Sequence, residues 1–174
     1  MTDQLVISAI GEDRPGIVND LSDIIFKLSL NIEDSRMSVL GGEFAIQLLV
    51  SGDQPAIAAL QTQVGDIESR LGLNIMARPT RSRPAEINSV PYSVEVSSLD
   101  HQGIVHNIAS FFSSRNINIV DLHTERYAAP HTGSPMFALH MTIGINADIN
   151  IPQLREAFYD ACEELNLDAE MSKL

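Results

Sequence analysis

Apolar and polar residues along this chain follow two rhythms, which succeed one another in a fixed order. Tyr92, Val94 and Val96 alternate with Ser93, Glu95 and Ser97, the period of a strand with one wet face. Leu5 to Ile10 is a second short run of β-rich composition. A helical stripe follows each: Ile17, Val18, Leu21, Ile24, Ile25 and Leu28 after the one, Ile104, Val105, Ile108, Phe111 and Phe112 after the other. Next, a strand is predicted from about Asn31 to Leu40, a tight hairpin at Gly41-Gly42, and a further strand with Phe44, Ile46, Leu48 and Val50 on one face. The second helix has the clearest period. Ile57, Leu60, Val64, Ile67 and Leu71 step by three and four, as do Leu154, Phe158, Ala161 and Leu165, and short last strands are expected near 74–77 and 169–172.

The order occurs twice because the chain repeats itself. A shift of 87 residues lays Asp13-Arg14-Pro15-Gly16-Ile17-Val18 over Asp100-His101-Gln102-Gly103-Ile104-Val105, and Asn31-Ile32-Glu33-Asp34 over Asn118-Ile119-Val120-Asp121. Between these blocks the apolar positions persist: Leu21 on Ile108, Ile24-Ile25 on Phe111-Phe112, Leu30 on Ile117. A six-residue insertion in the second copy then aligns Phe44–Leu48 with Phe137–Met141. It carries Pro130, Gly133 and Pro135, so it should lengthen a loop.

Strand, helix, strand, strand, helix, strand is the split βαβ order. It predicts an α+β chain of two tandem ferredoxin-like βαββαβ domains, each an antiparallel four-stranded sheet with both helices on one face. The other face is left without a cover, and edge strands of such sheets readily pair with another copy, so a homodimer is one expected assembly. Charge marks the boundary. Residues 1–77 and 90–174 each hold 4 basic and 11 acidic side chains, whereas 78–89 hold Arg78, Arg81 and Arg83 against Glu86 alone, with Pro79 and Pro84. Domains at 1–79 and 90–174, joined by a basic proline-containing linker at 80–89, follow. The arginines read either as a solvated linker or as a small anionic contact point.

The formal charge of −12 on 174 residues argues against direct DNA binding, because a phosphate backbone would be repelled. Cys162 is the only cysteine, so no disulfide forms within the chain. The opening Met1-Thr2-Asp3-Gln4 has neither the basic nor the apolar stretch of a signal peptide, and no apolar run reaches the roughly 20 residues of a membrane span. A cytoplasmic protein without a membrane role is expected.

Candidate chemistry centres on Gly11-Glu12-Asp13-Arg14-Pro15-Gly16-Ile17-Val18-Asn19. Asp13 suits an N-cap, Pro15 the first helical turn, and Gly16 close approach of backbone or ligand. The segment is either plain capping or a seat for a small carboxylate, made of free N–H groups and the positive helix end with Arg14 adding charge. Asn31 with Asp34, and Asn118 with Asp121, recur at one spacing and would either receive an ammonium group or cap a strand-entry turn. The histidines 101, 106, 123, 131 and 140 all fall in the second copy, no two at the i, i+4 spacing of a helical metal site, and no metal or other cofactor is expected. Cys162 sits in a helix of apolar period and reads as buried filler. No P-loop, dinucleotide glycine motif, nucleophile elbow or Cys-His-Asn set points to catalysis.

The Asp-Arg-Pro-Gly-Ile-Val opening, the Asn-Ile-Glu-Asp-Ser-Arg run at 31–36 and the duplication resemble the ACT domain family. Within it the chain is similar to tandem regulators of glycine cleavage genes. The resemblance implies a non-enzymatic repressor with two kinds of partner: a small amino acid, glycine first on the list, and a transcriptional activator of LysR type. It also implies ligand positions at Asp13, Pro15, Gly16 and Asn19, and at Asp100, Gly103 and Asn107. The second copy departs from the pattern, with His101-Gln102 for Arg14-Pro15 and Ser98-Leu99 for Gly11-Glu12, so tighter binding is expected in the first. A regulatory ACT subunit of an amino-acid enzyme, and an ACT sensor with another ligand, are the competing readings.

Overall fold

A computed structural model describes residues 3–81 and 89–174. The chain divides into two compact units, Met1–Pro84 and Ala85–Leu174. Unit 1 runs β1 (Asp3–Glu12), α1 (Ile17–Lys27), β2 (Asn31–Leu40), β3 (Glu43–Gly52), α2 (Gln54–Leu71) and β4 (Leu73–Thr80). Unit 2 repeats the order as β5 (Ser89–Leu99), α3 (Ile104–Ser113), β6 (Asn118–Ala128), β7 (Pro135–Asn146), α4 (Ile151–Glu164) and β8 (Asp168–Lys173). The sheets are ordered β2-β3-β1-β4 and β6-β7-β5-β8, antiparallel throughout. This is the ferredoxin-like arrangement, twice. The predicted linker falls mostly on residues 82–88, outside those described; Thr80 and Ser89 are strand residues.

Each unit has its own core, built from alternate residues of the central strands and the inner stripes of two helices. In unit 1, Leu5, Ile7 and Ala9 of β1 and Phe44, Ile46, Leu48 and Val50 of β3 meet Ile17, Leu21, Ile24 and Ile25 of α1 and Ile57, Leu60 and Ile67 of α2. In unit 2, Phe112 and Phe158, both fully buried, lie 5.2 Å apart between ring centroids, with Phe111 against both. Burying side chains of this size contributes roughly 1.5–3 kcal/mol each. The helical stripes are narrower than the sequence suggests: Val18 is 43% and Val105 39% exposed. Both follow the first buried isoleucine of their helix, about 100° around the axis, and so point away from the sheet. Among the described residues no helix is long and apolar enough to cross a membrane.

The inserted residues 129–134 are the β6–β7 loop itself, closed by the Ala129 N–H donating to the Ser134 carbonyl (2.9 Å). A register shift between Ile32 and Asp34 in β2 recurs between Ile119 and Asp121 in β6. The repeat therefore preserves a bulge, which the sequence pattern had not shown.

Candidate functional site

Helix capping separates the two helices of each unit. Asp53 caps α2 by accepting from the Ala56 N–H (2.9 Å), and Asn150 caps α4 by accepting from the Gln153 N–H (3.1 Å). The helices α1 and α3 begin instead at left-handed glycines, Gly16 at φ 88° and Gly103 at φ 94°, with no side-chain cap. This corrects the expected roles of Asp13 and Pro15, since the helix starts at Ile17 and both residues precede it. A glycine there reaches a φ that L side chains resist, and it leaves first-turn N–H groups open. A β-carbon placed on Gly16 meets nothing within 4 Å, and on Gly103 only Asn107 Nδ2 at 3.7 Å. Two helix ends of positive potential thus face unfilled space.

The turns leading into them are pinned to the neighbouring hairpins. The Asp13 N–H donates to the Gly42 carbonyl (3.1 Å), and the Asp100 N–H to the Pro135 carbonyl (2.9 Å). Side-chain charges differ between the copies. Arg14 folds back onto α1 and pairs with Asp20 at 2.8 Å, both 41% exposed, so its guanidinium is not freely offered to a carboxylate as expected. Such a half-exposed pair is worth about 0–1 kcal/mol and opens at little cost. Asp100 accepts from Arg126 Nε of β6 at 2.8 Å; the residue matching Arg126 in unit 1 is Val39. Among the described residues the exposed carboxylate of Asp13 has no such tie, which distinguishes the first copy electrostatically. Asn19 is exposed and Asn107 half-buried on the first turns of their helices.

Asn31 and Asp34 do not join this turn within the unit. They flank the bulge at the opposite end of β2. Asp34 is level with Leu49 and Val6, six residues along β1 from Glu12, about 20 Å at strand rise. Asn118 and Asp121 stand at the matching place in β6. One small ligand cannot touch Gly16 and Asp34 of the same unit. Both residues lie within β2, so they cap no entry turn. Asn31 Nδ2 and Ser51 Oγ donate to the Glu33 carboxylate, the serine bond being the shorter, and these hydrogen bonds hold the Glu33 carboxyl below its usual value. Glu33 and the 8%-exposed Ser51 escaped the sequence reading, because only the bulge brings them together.

The uncovered sheet faces also diverge. Cross-strand register places Val6, Ile10, Ala45, Leu49 and Met76 on that of unit 1, with Asp34, Arg36 and Arg78 towards its edges. A hollow of about 350 Å³ among Val6, Asp34, Arg36, Gln47 and Leu49 marks it. In unit 2 the same face carries Glu95, Asp121, Glu125, Asp168 and Glu170. His123 and His140 stack across its edge pair of strands, β6 and β7. Among the described residues no group of three or more His, Cys, Asp or Glu side chains is placed to hold a metal. Cys162 is buried, its thiol pushed up to about 11 by desolvation, and is inert filler as expected.

Residues 3–78 match the ACT domain family. The Escherichia coli (strain K12) glycine cleavage system transcriptional repressor is 30% identical over 162 residues, which cover 93% of this chain and 85% of that one. Among solved structures, a protein of unknown function from Galdieria sulphuraria aligns over 100% of this chain and 99% of its own, at 30% identity and TM-score 0.82. A protein provisionally assigned as a glycine cleavage system transcriptional repressor aligns over 100% and 98%, at 26% identity and TM-score 0.74. The matched stretches run through both units, so the duplication itself is shared with these proteins. The chain belongs to the tandem ACT-domain family of the glycine cleavage system transcriptional repressor.

Proposed function

We propose that this protein is a non-enzymatic, amino-acid-responsive regulator that represses glycine cleavage genes in the cytoplasm by contact with a transcriptional activator of LysR type. The observation that carries the reading is the likeness to the Escherichia coli repressor along 93% of the chain. Two further features support it. The charge of −12 opposes direct approach to a phosphate backbone, which favours protein contact over DNA reading. The open helix ends at Gly16 and Gly103 suit the carboxylate of a small amino acid, glycine above all. Asp13 and Asp34 are the two candidates for the ammonium in unit 1, and Asp13, three residues before Gly16, is the one on the same turn.

A switch needs a ligand that prefers either the free or the partner-bound protein. Linkage then requires partner and amino acid to alter each other's affinity by the same factor. Interferometry against a LysR-type activator of glycine cleavage genes, at zero and at saturating glycine, should show affinities differing by about 5-fold to about 150-fold. Identical affinities would remove the sensing role and leave the repressor. Absence of any complex would remove the repressor reading.

A further inference from the structure

We propose that His123 and His140 form a chelating site for a late first-row divalent cation, Zn²⁺, Ni²⁺ or Cu²⁺, on the uncovered face of unit 2. The pair is set by backbone register. β6 and β7 place His123 directly opposite His140, and the buried neighbours Leu139 and Met141 fix both imidazoles on the face away from the helices. The rings are nearly parallel, 18° between planes, with centroids 4.8 Å apart. Two nitrogens each about 2.0–2.1 Å from a common ion lie no more than about 4.2 Å apart. Side-chain rotation therefore suffices to bring both onto one ion, with the strands left where they are. Imidazole nitrogen is the donor that zinc, nickel and copper share.

The surroundings fit a cation. Glu95 is directly opposite His140 on β5, and Glu170 opposite Glu95 on β8, so one row crosses the sheet as His123, His140, Glu95, Glu170. Asp121 and Glu125 occupy the same face on either side of His123. Because among the described residues no third such side chain converges on the pair, the chelate is two imidazoles completed by water, and Glu95, opposite His140 in register, is the carboxylate placed to orient that imidazole. Ligating histidines are ordinarily oriented this way. Unit 1 has Arg36 opposite Gln47 at the matching positions and offers no imidazole there. Helical spacing could not reveal a pair that only strand register creates.

The test uses the full chain without a histidine tag, stripped with chelator. Calorimetry with Ni²⁺ or Zn²⁺ should find one equivalent per chain, and Cu²⁺ should show an electron-spin spectrum with nitrogen coupling. His123→Ala and His140→Ala should each abolish that equivalent. Glu95→Gln should keep the stoichiometry and weaken affinity by about tenfold to a hundredfold. The histidines are outside the core, and circular dichroism of each variant establishes that it is folded. An equivalent that survives in the double alanine variant overturns the assignment, as does wild-type protein giving neither heat nor nitrogen coupling.

Discussion

Gly16 shows how one residue can serve a fold and a ligand at once. Its φ of 88° costs an L side chain roughly 1–2 kcal/mol, yet a β-carbon there would touch nothing. Gly16→Ala should lower stability by that amount, about 4–16 °C in melting temperature for a domain of this size, without obstructing the helix end. A ligand that still binds the alanine variant, measured by calorimetry, is expected. Gly16→Val would confound strain with steric block, since a β-branched side chain resists this φ even more. Glu33 makes a second prediction. Ser51 first and Asn31 second hold its folded pKa below the ordinary 4.5. A depressed carboxyl contributes stability that is present above the unfolded value and is lost as pH falls through the folded one. Glu33→Gln should therefore lower the melting temperature at neutral pH, where the ionised carboxylate contributes, and flatten its further fall below pH 4.5. The glycine was legible in the sequence as a residue of permissive backbone, but its part in the turn was not. Asp13, Pro15 and Gly16 are each plausible near a helix start, and only the backbone angles decide among them.

At the scale of elements, hydrophobic period specified most of the architecture. The stripe of Ile57, Leu60 and Ile67 and the alternation of Tyr92, Val94 and Val96 correspond to buried faces in the structure. Strand β2 is different. All ten of its residues are exposed, so its composition carries no alternation of burial, and the bulge at Ile32/Asp34 shifts side-chain phase without any signature in residue type. That is why Asn31 and Asp34 were legible as a repeated pair but not as a pair distant from the Gly16 turn. The insertion offers a clean experiment. Removing residues 129–134 and replacing Ala128-Pro135 by Gly-Gly should restore the two-residue hairpin of unit 1. Loop closure changes by only about 0.6 kcal/mol per doubling of length, so the variant should fold with stability within about 1 kcal/mol of the parent, as chemical denaturation would show.

The whole molecule is one fold used twice with different surfaces. Because each unit encloses its own core, fragments ending at Arg81 and beginning at Ser89 should each fold, giving cooperative melts and native-like circular dichroism; a fragment that stays unfolded would show that the proposed domain boundaries fail. The sequence announced the duplication and the acidic balance, but not that exposed apolar side chains would gather on one uncovered face and carboxylates on the other, because equal net charges in the two halves conceal where the charges stand. The glycine-started helices have one more consequence, which concerns rates. With no capping carboxylate of their own, they attract anions locally while a chain of net charge −12 repels them from afar. An amino acid with no net charge escapes the long-range field, whereas a dicarboxylic one does not. Stopped-flow association should then be insensitive to ionic strength for glycine and should accelerate for glutamate as salt rises from about 0.01 M to about 0.15 M, where the screening length contracts from about 30 Å to about 8 Å. Selection among amino acids would thus begin in the solvent, ahead of any contact.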